Sequence, residues 1–248
     1  MANYFEKEYT VSQNHLNEYD DFSVCGILDF FQDIAGRHAR ELSLGFHDIN
    51  AKGVNWILAR TRFEIVSKWR YLSDIHMKTW PHRPDRFDIE RDYQMISENG
   101  DILVKASSIW VLIDNKKKTL APTSLIFDSS CSYFEEFNFP NKLKSLKFEE
   151  NILKDKYTFV VSKSMLDHNH HMNNSRYGEV FENAINLDSF EKIIYFEINY
   201  VKESKLNEIV DFKYFRNDEE VIGAFYCCGE LRAKVKATLK YCGSGCAL

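Results

Sequence analysis

One nine-residue stretch of this 248-residue chain concentrates side chains that can move protons. It reads LDHNHHMNN over residues 166–174 and holds three of the eight histidines within four positions. An unperturbed histidine titrates near pH ~6.5, where it can serve both as general acid and as general base. Asp167 and Asn169 add a carboxylate and an amide to the same stretch. The stretch is therefore the first candidate for a catalytic site.

Other interpretations of this stretch compete with catalysis. Asp167 and Asn169 could form an Asx turn and nothing more, with the histidines as solvated loop residues. Zinc is disfavoured because no cysteine or second acidic residue stands at a recognised ligand spacing. A nucleophilic triad is disfavoured because no G-x-S-x-G sequence precedes a helix, and glycine-rich phosphate motifs are also missing. We expect neither a metal nor a cofactor.

The elements that must position these residues repeat along the chain. Apolar residues recur at i, i+3, i+4 and i+7 in two places, which predicts two amphipathic helices. The first covers residues 23–44, with Ser23 as its N-cap and Gly45 after its end, and the second has Asn173 or Asn174 as its cap. The stripe residues of the two helices are offset by 150 positions: Ile27/Tyr177, Phe30/Val180, Phe31/Phe181 and Ile34/Ala184.

Strand candidates accompany both helices in the same order, with one strand before each helix and four after it. The first set comprises residues 4–11, 57–66, 75–80, 87–96 and 102–113, and the second comprises 157–161, 195–200, 209–215, 221–227 and 231–239. A single amphipathic helix among antiparallel strands must pack inside a curled sheet to bury its apolar stripe. We therefore predict an α+β protein with a tandem, or double, hot-dog fold. An unrelated α+β domain is the alternative.

The predicted halves are residues 1–136 and 152–248, joined by a Lys/Glu-rich surface linker over 137–151. Chemistry is concentrated in the second half. In the first half, Phe30, Phe31, Trp56 and Trp110 are candidates for lining an apolar tunnel. Ordinary core packing is the alternative role of each aromatic.

The chain resembles the acyl-acyl carrier protein thioesterases. The D-x-N-x-H-x-N-N-x-[KR]-Y signature of that family matches residues 167–177. In the first half, KTWP at 78–81 and SSIWVLID at 107–114 resemble its T-W-P and S-x-W-x-x-x-D strand motifs. Because the three pieces keep the family order and spacing, the chain is identified as a member, expected to be a bacterial relative of the plant plastid enzymes.

The resemblance implies hydrolysis of fatty acyl-acyl carrier protein, which releases the free fatty acid and ends chain elongation. It also implies that the first half, residues 1–136, sets the acyl-chain specificity and that the acyl chain occupies the apolar tunnel. It implies four catalytic residues: Asp167, Asn169, His171 and Glu203. In the implied scheme Glu203 and His171 activate water, Asn169 orients it or stabilises the oxyanion, and Asp167 holds Asn169 or His171. Plant members carry a cysteine after the glutamate where this chain has Ser204, which favours attack by water.

Two features of this scheme have open alternatives. Glu203 could be an exposed strand-end carboxylate beside Lys202 and Lys205. Backbone N–H groups at the start of the first helix, near Ser23, are a candidate for polarising the thioester carbonyl.

Composition limits the partners. With 32 basic and 37 acidic residues the formal charge is −5, which gives no global footprint for nucleic acid. The acidic acyl carrier protein is expected to dock on a basic patch, either at 60–91, which has eight basic and five acidic residues, or at Lys116–Lys118. No apolar run is long enough to span a bilayer and the amino terminus lacks targeting features, so we expect a cytoplasmic protein with no membrane contact.

The six cysteines show no metal-ligand spacing, and reduced thiols are expected. A monomer and a homodimer both fit a duplicated hot dog, which already makes its pairing internally. Three other functions remain open: an acyl-coenzyme A thioesterase on the same fold, a hot-dog dehydratase or hydratase, and a non-catalytic protein that binds an acyl thioester.

Overall fold

The computed structural model describes residues 4–69, 73–127 and 133–242. Its helices are α1 (Val24–Glu41), α2 (Phe46–Ala51) and α3 (Arg176–Ile185). Its strands are β1 (Phe5–Tyr9), β2 (Val54–Ile65), β3 (Ile75–Pro81), β4 (Asp88–Ser97), β5 (Ile102–Asp114), β6 (Leu120–Ala121), β7 (Asp155–Val160), β8 (Glu191–Tyr200), β9 (Ile209–Arg216), β10 (Glu220–Cys227) and β11 (Glu230–Tyr241). Both predicted helices and every predicted strand are present, whereas α2 and β6 were missed because both are too short to show a period.

Internal contacts divide the chain into two compact units. Unit 1 is Met1–Val11 with Phe30–Lys144, and unit 2 is Ser12–Asp29 with Ser145–Leu248. The strand order in unit 1 is β1-β3-β4-β5-β2, with β6 beside β5, and in unit 2 it is β7-β9-β10-β11-β8. Every strand pair within each unit is antiparallel. Since corresponding strands occupy corresponding places, the repeat inferred from the two helical stripes is a repeat of topology.

Each long helix buries its apolar stripe against a sheet. In unit 1 the Phe31 ring lies 4.8 Å from Tyr93 of β4 and 6.4 Å from Phe63 of β2. In unit 2 the Phe181 ring lies 5.1 Å from Phe196 of β8 and 6.0 Å from Phe212 of β9. Burying one such side chain contributes about 1.5–3 kcal/mol relative to leaving it exposed, so the stripes fix where each helix packs.

The start of α1 is tied to α3 within unit 2. The Ser23 hydroxyl accepts from Gly26 N at 2.9 Å, which confirms Ser23 as the N-cap. Val24 N donates to a Glu182 carboxylate oxygen on α3 at 3.0 Å. A Cβ on Gly178 would lie 2.7 Å from Val24 Cγ1, so α3 comes this close to α1 only because residue 178 has no side chain.

Two predicted helix ends were wrong. The first helix ends at Glu41, and Gly45 with φ −64° is the N-cap of α2. Ser175 occupies the N-cap of α3, and the Asn173 side-chain oxygen accepts from Ser175 N at 3.1 Å. Both errors have one cause: where several cap-forming residues are close together, the sequence does not show which of them forms the cap.

The connector between the halves is attached to the sheet of unit 1 where it begins. Asn138 N donates to Asp92 Oδ2 at 2.8 Å, and the Asn138 amide donates to two strand carbonyls. The Arg62 guanidinium lies 4.0 Å from the centre of the Phe139 ring. The first residues of the predicted surface linker therefore cover polar side chains of β2 and β4. The composition of the linker did not show these contacts, because the partner residues are distant in the sequence.

Four cysteines lie within the described residues, and all are free: Cys25, Cys227, Cys228 and Cys242. Cys131 and Cys246 lie outside them. None of the described helices has the length and apolar character needed to cross a membrane.

Candidate active site

The polar stretch forms a tight turn built on Asp167. Its Oδ1 atom accepts from Asn169 N at 2.8 Å and from His171 N at 3.4 Å, while Asp167 N donates to His171 O at 2.9 Å. His170 sits in the left-handed region with φ +62°. The Asx turn is therefore present, and it fixes the backbone of both Asn169 and His171 within one loop.

A second segment brings Glu203 to this loop. Met172 N donates to Ser204 O at 2.8 Å, and His171 forms an isolated antiparallel bridge with Lys205. This pairing leaves His171 Nε2 3.5 Å from Glu203 Oε1. The structure thus brings together Asp167, Asn169, His171 and Glu203, which lie up to 36 positions apart in the chain.

The site is open to water. The His171 and Glu203 side chains are 34% and 48% exposed, and Asn169 is also exposed. Lys205 Nζ lies 4.0 Å from the Glu203 carboxylate, a distance at which an exposed pair contributes little. A water molecule can therefore reach the imidazole and the carboxylate together, and the exposed Asn169 amide can donate to a substrate oxygen.

The other two histidines of the stretch, His168 and His170, are exposed. Within the described ranges, no three His, Cys, Asp or Glu side chains are close enough to hold a metal ion.

The start of α1 does not offer its N–H groups to a substrate. Val24 N donates to Glu182, Gly26 N donates to the Ser23 hydroxyl, and Ile27 N donates to Ser23 O. Burial raises the pKa of Glu182 to about 7, although the N–H groups of α1 that it accepts from oppose the rise. The expectation that this helix end polarises the thioester carbonyl was wrong, because a side chain already caps it.

Sequence reasoning missed a buried pair beneath the site. The Tyr177 hydroxyl lies 2.9 Å from the Ser204 hydroxyl, and both side chains are almost inaccessible, at 2% and 0% exposure. Burial raises the pKa of Tyr177 to about 12. The sequence marks Tyr177 but not its partner, since Tyr177 ends the signature and is the one polar-tipped residue of an otherwise apolar stripe.

A second turn in unit 2 has nearly the same backbone. In residues 12–23, Asn17 Oδ1 accepts from Tyr19 N at 2.9 Å and from Asp21 N at 3.1 Å, and Asn17 N donates to Asp21 O at 2.8 Å. Asp20 has φ +59°, as His170 has +62°. Extending the 150-residue offset from the helices to the preceding loops would have revealed this copy.

The first turn carries different side chains and contacts. Asn17, Tyr19 and Asp21 stand where Asp167, Asn169 and His171 stand in the second turn. The Asp21 carboxylate pairs with Lys192, and the Tyr19 hydroxyl donates to Leu187 O at 3.2 Å. Because the first turn has Asp21 at the position of His171, and Lys192 already pairs with that carboxylate, we expect the first turn to have a structural role.

The predicted docking patches differ in exposure. Arg91, in the segment 60–91, is buried with His38 Nδ1 3.0 Å away and Thr79 Oγ1 3.2 Å away, so it cannot contact a partner. Arg70 lies outside the described residues. Lys116–Lys118 are exposed on the turn between β5 and β6. Of the two patches, only this turn is accessible throughout.

The aromatics proposed for a tunnel have packing or hydrogen-bond partners. Phe30 and Phe31 are buried in the core, at 4% and 3% exposure. Trp56 Nε1 donates to Leu44 O at 2.9 Å, and Trp110 Nε1 donates to Ser108 Oγ at 2.8 Å. Their part in chain-length selection stays a prediction.

Two sheet-and-helix units of identical strand order define this chain as a double hot-dog protein. The acyl-ACP thioesterase N-terminal domain family matches residues 2–124, and the acyl-ACP thioesterase C-terminal domain family matches residues 149–235. The chain belongs to the acyl-ACP thioesterase family.

Individual relatives agree with this assignment. The palmitoyl-acyl carrier protein thioesterase of Gossypium hirsutum is 23% identical over 194 residues, which are 73% of this chain. This chain spans about half of that protein, 47% of its length.

Two solved structures share the fold. An acyl-ACP thioesterase from Bacteroides thetaiotaomicron is 20% identical, with a TM-score of 0.80 over 96% of this chain and 98% of that one. The 12:0-ACP thioesterase from Umbellularia californica is 14% identical, with a TM-score of 0.80 over 97% of this chain and 98% of that one.

Proposed function

We propose that this protein hydrolyses the thioester of fatty acyl-acyl carrier protein, releasing a free fatty acid and ending chain elongation. One observation carries the proposal: the His171 imidazole lies 3.5 Å from the Glu203 carboxylate, on a loop held by Asp167, in a chain of this family. An imidazole beside a carboxylate, both open to solvent, is suited to activating water.

In the proposed reaction a water molecule attacks the thioester carbonyl carbon. His171 and Glu203 position this water and accept its proton as the C–O bond forms. Asn169 donates a hydrogen bond to the developing oxyanion or to the water. The oxyanion then re-forms the carbonyl, the C–S bond breaks with its electron pair on sulfur, and the carrier thiolate takes the proton that His171 or Glu203 accepted from water.

Water is the proposed nucleophile because the hydroxyl of Ser204, which follows Glu203 in the chain, is unsuited to attack. Ser204 is fully buried, and its hydroxyl lies within hydrogen-bond distance of Tyr177. Asp167 has the role of a holding group: it fixes the backbone of Asn169 and His171 through its Oδ1 atom. The turn held by Asp167 thus fixes the position of His171 on the loop without a second carboxylate.

The acyl carrier protein is the proposed partner, with Lys116–Lys118 as its docking turn. The three lysines are exposed and adjacent, which suits an acidic surface. A cytoplasmic location and a monomeric or homodimeric state remain part of the proposal.

Hydrolysis of a series of carrier-linked acyl chains, from short to long, tests the function. We expect wild-type protein to release free acid and carrier thiol, with slower turnover of the matching coenzyme A thioesters. His171→Ala should lower kcat by about 10²-fold or more. Asp21→Ala, at the matching position of the first turn, should keep kcat within about twofold.

Two results would contradict the proposal. Wild-type protein that binds carrier-linked acyl chains without releasing acid would make it an acyl-thioester-binding protein. Equal loss of activity in Asp21→Ala and His171→Ala would remove the assignment of the site to the second turn.

A further inference from the structure

We propose that Tyr177 is a positioning residue, which sets the distance between Glu203 and His171 through its hydrogen bond to Ser204. The inference rests on the proposed hydrolase function, because it assigns a role within that site. Neither hydroxyl touches the substrate in this proposal.

The segment that carries Glu203 has one buried side-chain anchor. After β8 ends at Tyr200, the residues 201–203 and 205–207 are exposed, and Ser204 alone among 201–207 is buried. Its hydroxyl lies 2.9 Å from the Tyr177 hydroxyl. The Glu203 backbone is therefore held next to the one residue of this segment that is fixed in the interior.

Tyr177 holds the other side of the site. It lies in the first turn of α3, the helix into which the His171 loop leads. Its ring packs edge-on against Tyr200, with centroids 5.7 Å apart, and against Phe225, at 5.0 Å. The Tyr200 hydroxyl in turn donates to Asn174 O at 2.9 Å, between the loop and the helix. One rigid ring thus links the start of α3 to the segment that bears the carboxylate.

The backbone bond between Met172 N and Ser204 O completes the frame. His171 and Glu203 each lie one position before a residue of that bond. A shift of Ser204 therefore moves Glu203 relative to His171 directly. Because misplacement of a reacting group by about 1 Å can lower a rate by up to 10²-fold, a small loosening here should be visible in kcat.

The corresponding positions of the first half lack this pair. Ile27 stands at the Tyr177 position of the helical stripe, and Trp69 stands four residues after β2 as Ser204 does after β8. Neither residue has a hydroxyl. The buried hydroxyl pair accompanies the turn with His171 and is missing from the residues matched to the turn that has Asp21 at that position.

The test uses Tyr177→Phe, Ser204→Ala and the double variant in the full chain, with carrier-linked acyl substrate. Each single change should lower kcat about 10-fold and leave KM within about twofold. The double variant should lose no more than either single one, because both changes remove the same bond. Tyr214→Phe is the control: its hydroxyl donates to Ala184 O at 3.0 Å at the other end of α3, and its loss should not change kcat.

A second readout does not depend on turnover. In NMR spectra, the imidazole signals of His171 should move in Tyr177→Phe in the same direction as in Glu203→Gln, and by less. Unchanged His171 signals together with wild-type kcat in Tyr177→Phe would overturn the inference, as would additive losses in the double variant. If wild-type protein releases no fatty acid, the hydrolase function fails, and the NMR comparison still decides whether Tyr177 sets the His171 environment.

Discussion

The turns at residues 12–23 and 162–173 have nearly the same backbone but differ in chemistry. Each has an Asx side chain that accepts from the backbone two and four residues later, at 2.9 and 3.1 Å in the first turn and 2.8 and 3.4 Å in the second. Each also has an isolated bridge that closes the turn. The turn is therefore a scaffold, and it does not by itself make a site.

The difference lies in a few side chains. The second turn has Asn169 and His171 where the first has Tyr19 and Asp21. Three residues after the end of β8 stands Glu203, and three residues after the end of the matching strand β2 stands Lys68. A duplicated scaffold can thus keep one set of reactive groups, while the other copy exchanges them for an ion pair and a tyrosine contact.

Among the further changes that test this comparison, the largest effect is expected at the carboxylate of Glu203. Glu203→Gln keeps the size and hydrogen-bonding capacity of the side chain but removes its charge and basicity. We expect kcat for acyl-carrier substrate to fall by about 10²-fold. Lys68→Gln, at the matching position, serves as the control and should leave kcat unchanged.

Retention of wild-type kcat in Glu203→Gln would show that the 3.5 Å contact with His171 is incidental. Glu203 would then be an exposed strand-end carboxylate beside Lys205, as its sequence neighbours also allow.

A smaller effect is expected at Asp167, whose side chain holds the second turn as Asn17 holds the first. Asn17 shows that an amide oxygen can hold this turn, so Asp167→Asn should keep the fold of the loop. It should lose the 3.5 Å contact between Asp167 Oδ2 and the Asn169 amide, and with it about 10-fold in kcat. Asp167→Ala should lose more, because it removes the turn as well.

Kinetics and thermal unfolding of both variants measure this difference. If Asp167→Asn were as inactive as Asp167→Ala while unfolding like wild-type protein, the charge of Asp167 would have a direct part in catalysis. The reverse change, Asn17→Asp, should leave kcat unchanged.

The smallest effect is expected on stability, at Glu182, whose carboxylate caps the start of α1. The pKa of Glu182 is about 7 in the folded protein because burial disfavours the charged form, and its ordinary value is near 4.5. The folded state therefore holds this proton more tightly, and the resulting stability is present below pH ~4.5 and lost as the pH rises through ~7. Glu182→Gln keeps an acceptor for Val24 N without the charge.

Denaturant unfolding at pH 5 and pH 8 checks this expectation. The free energy of unfolding of Glu182→Gln should exceed that of wild-type protein at pH 8 by about 1 kcal/mol, and the difference should shrink at pH 5. The partial exposure of Glu182 keeps the effect small. A variant that is less stable at pH 8 than at pH 5, relative to wild-type protein, would show that the charged carboxylate stabilises the start of α1.

Much of this architecture was predictable because it depends on local periodicity. The stripes through Phe31 and Phe181 predicted both long helices, and alternation predicted all the main strands. The limits of the helices were less predictable, since Ser175 and Gly45 compete with neighbouring residues that can also cap. The composition of the connector did not show that Asn138 and Phe139 contact strands that lie far away in the chain.

The sequence by itself determined the repeat, the family and the four candidate residues. Periodicity, motif order and side-chain chemistry can all be recognised from residues that lie close together in the chain. Only the tertiary structure decided that Glu203 lies beside His171, that Glu182 closes the start of α1, and that Tyr177 meets Ser204. Each of these contacts joins residues 27 to 158 positions apart. Such contacts follow from how helix and sheet pack, and no local pattern encodes them.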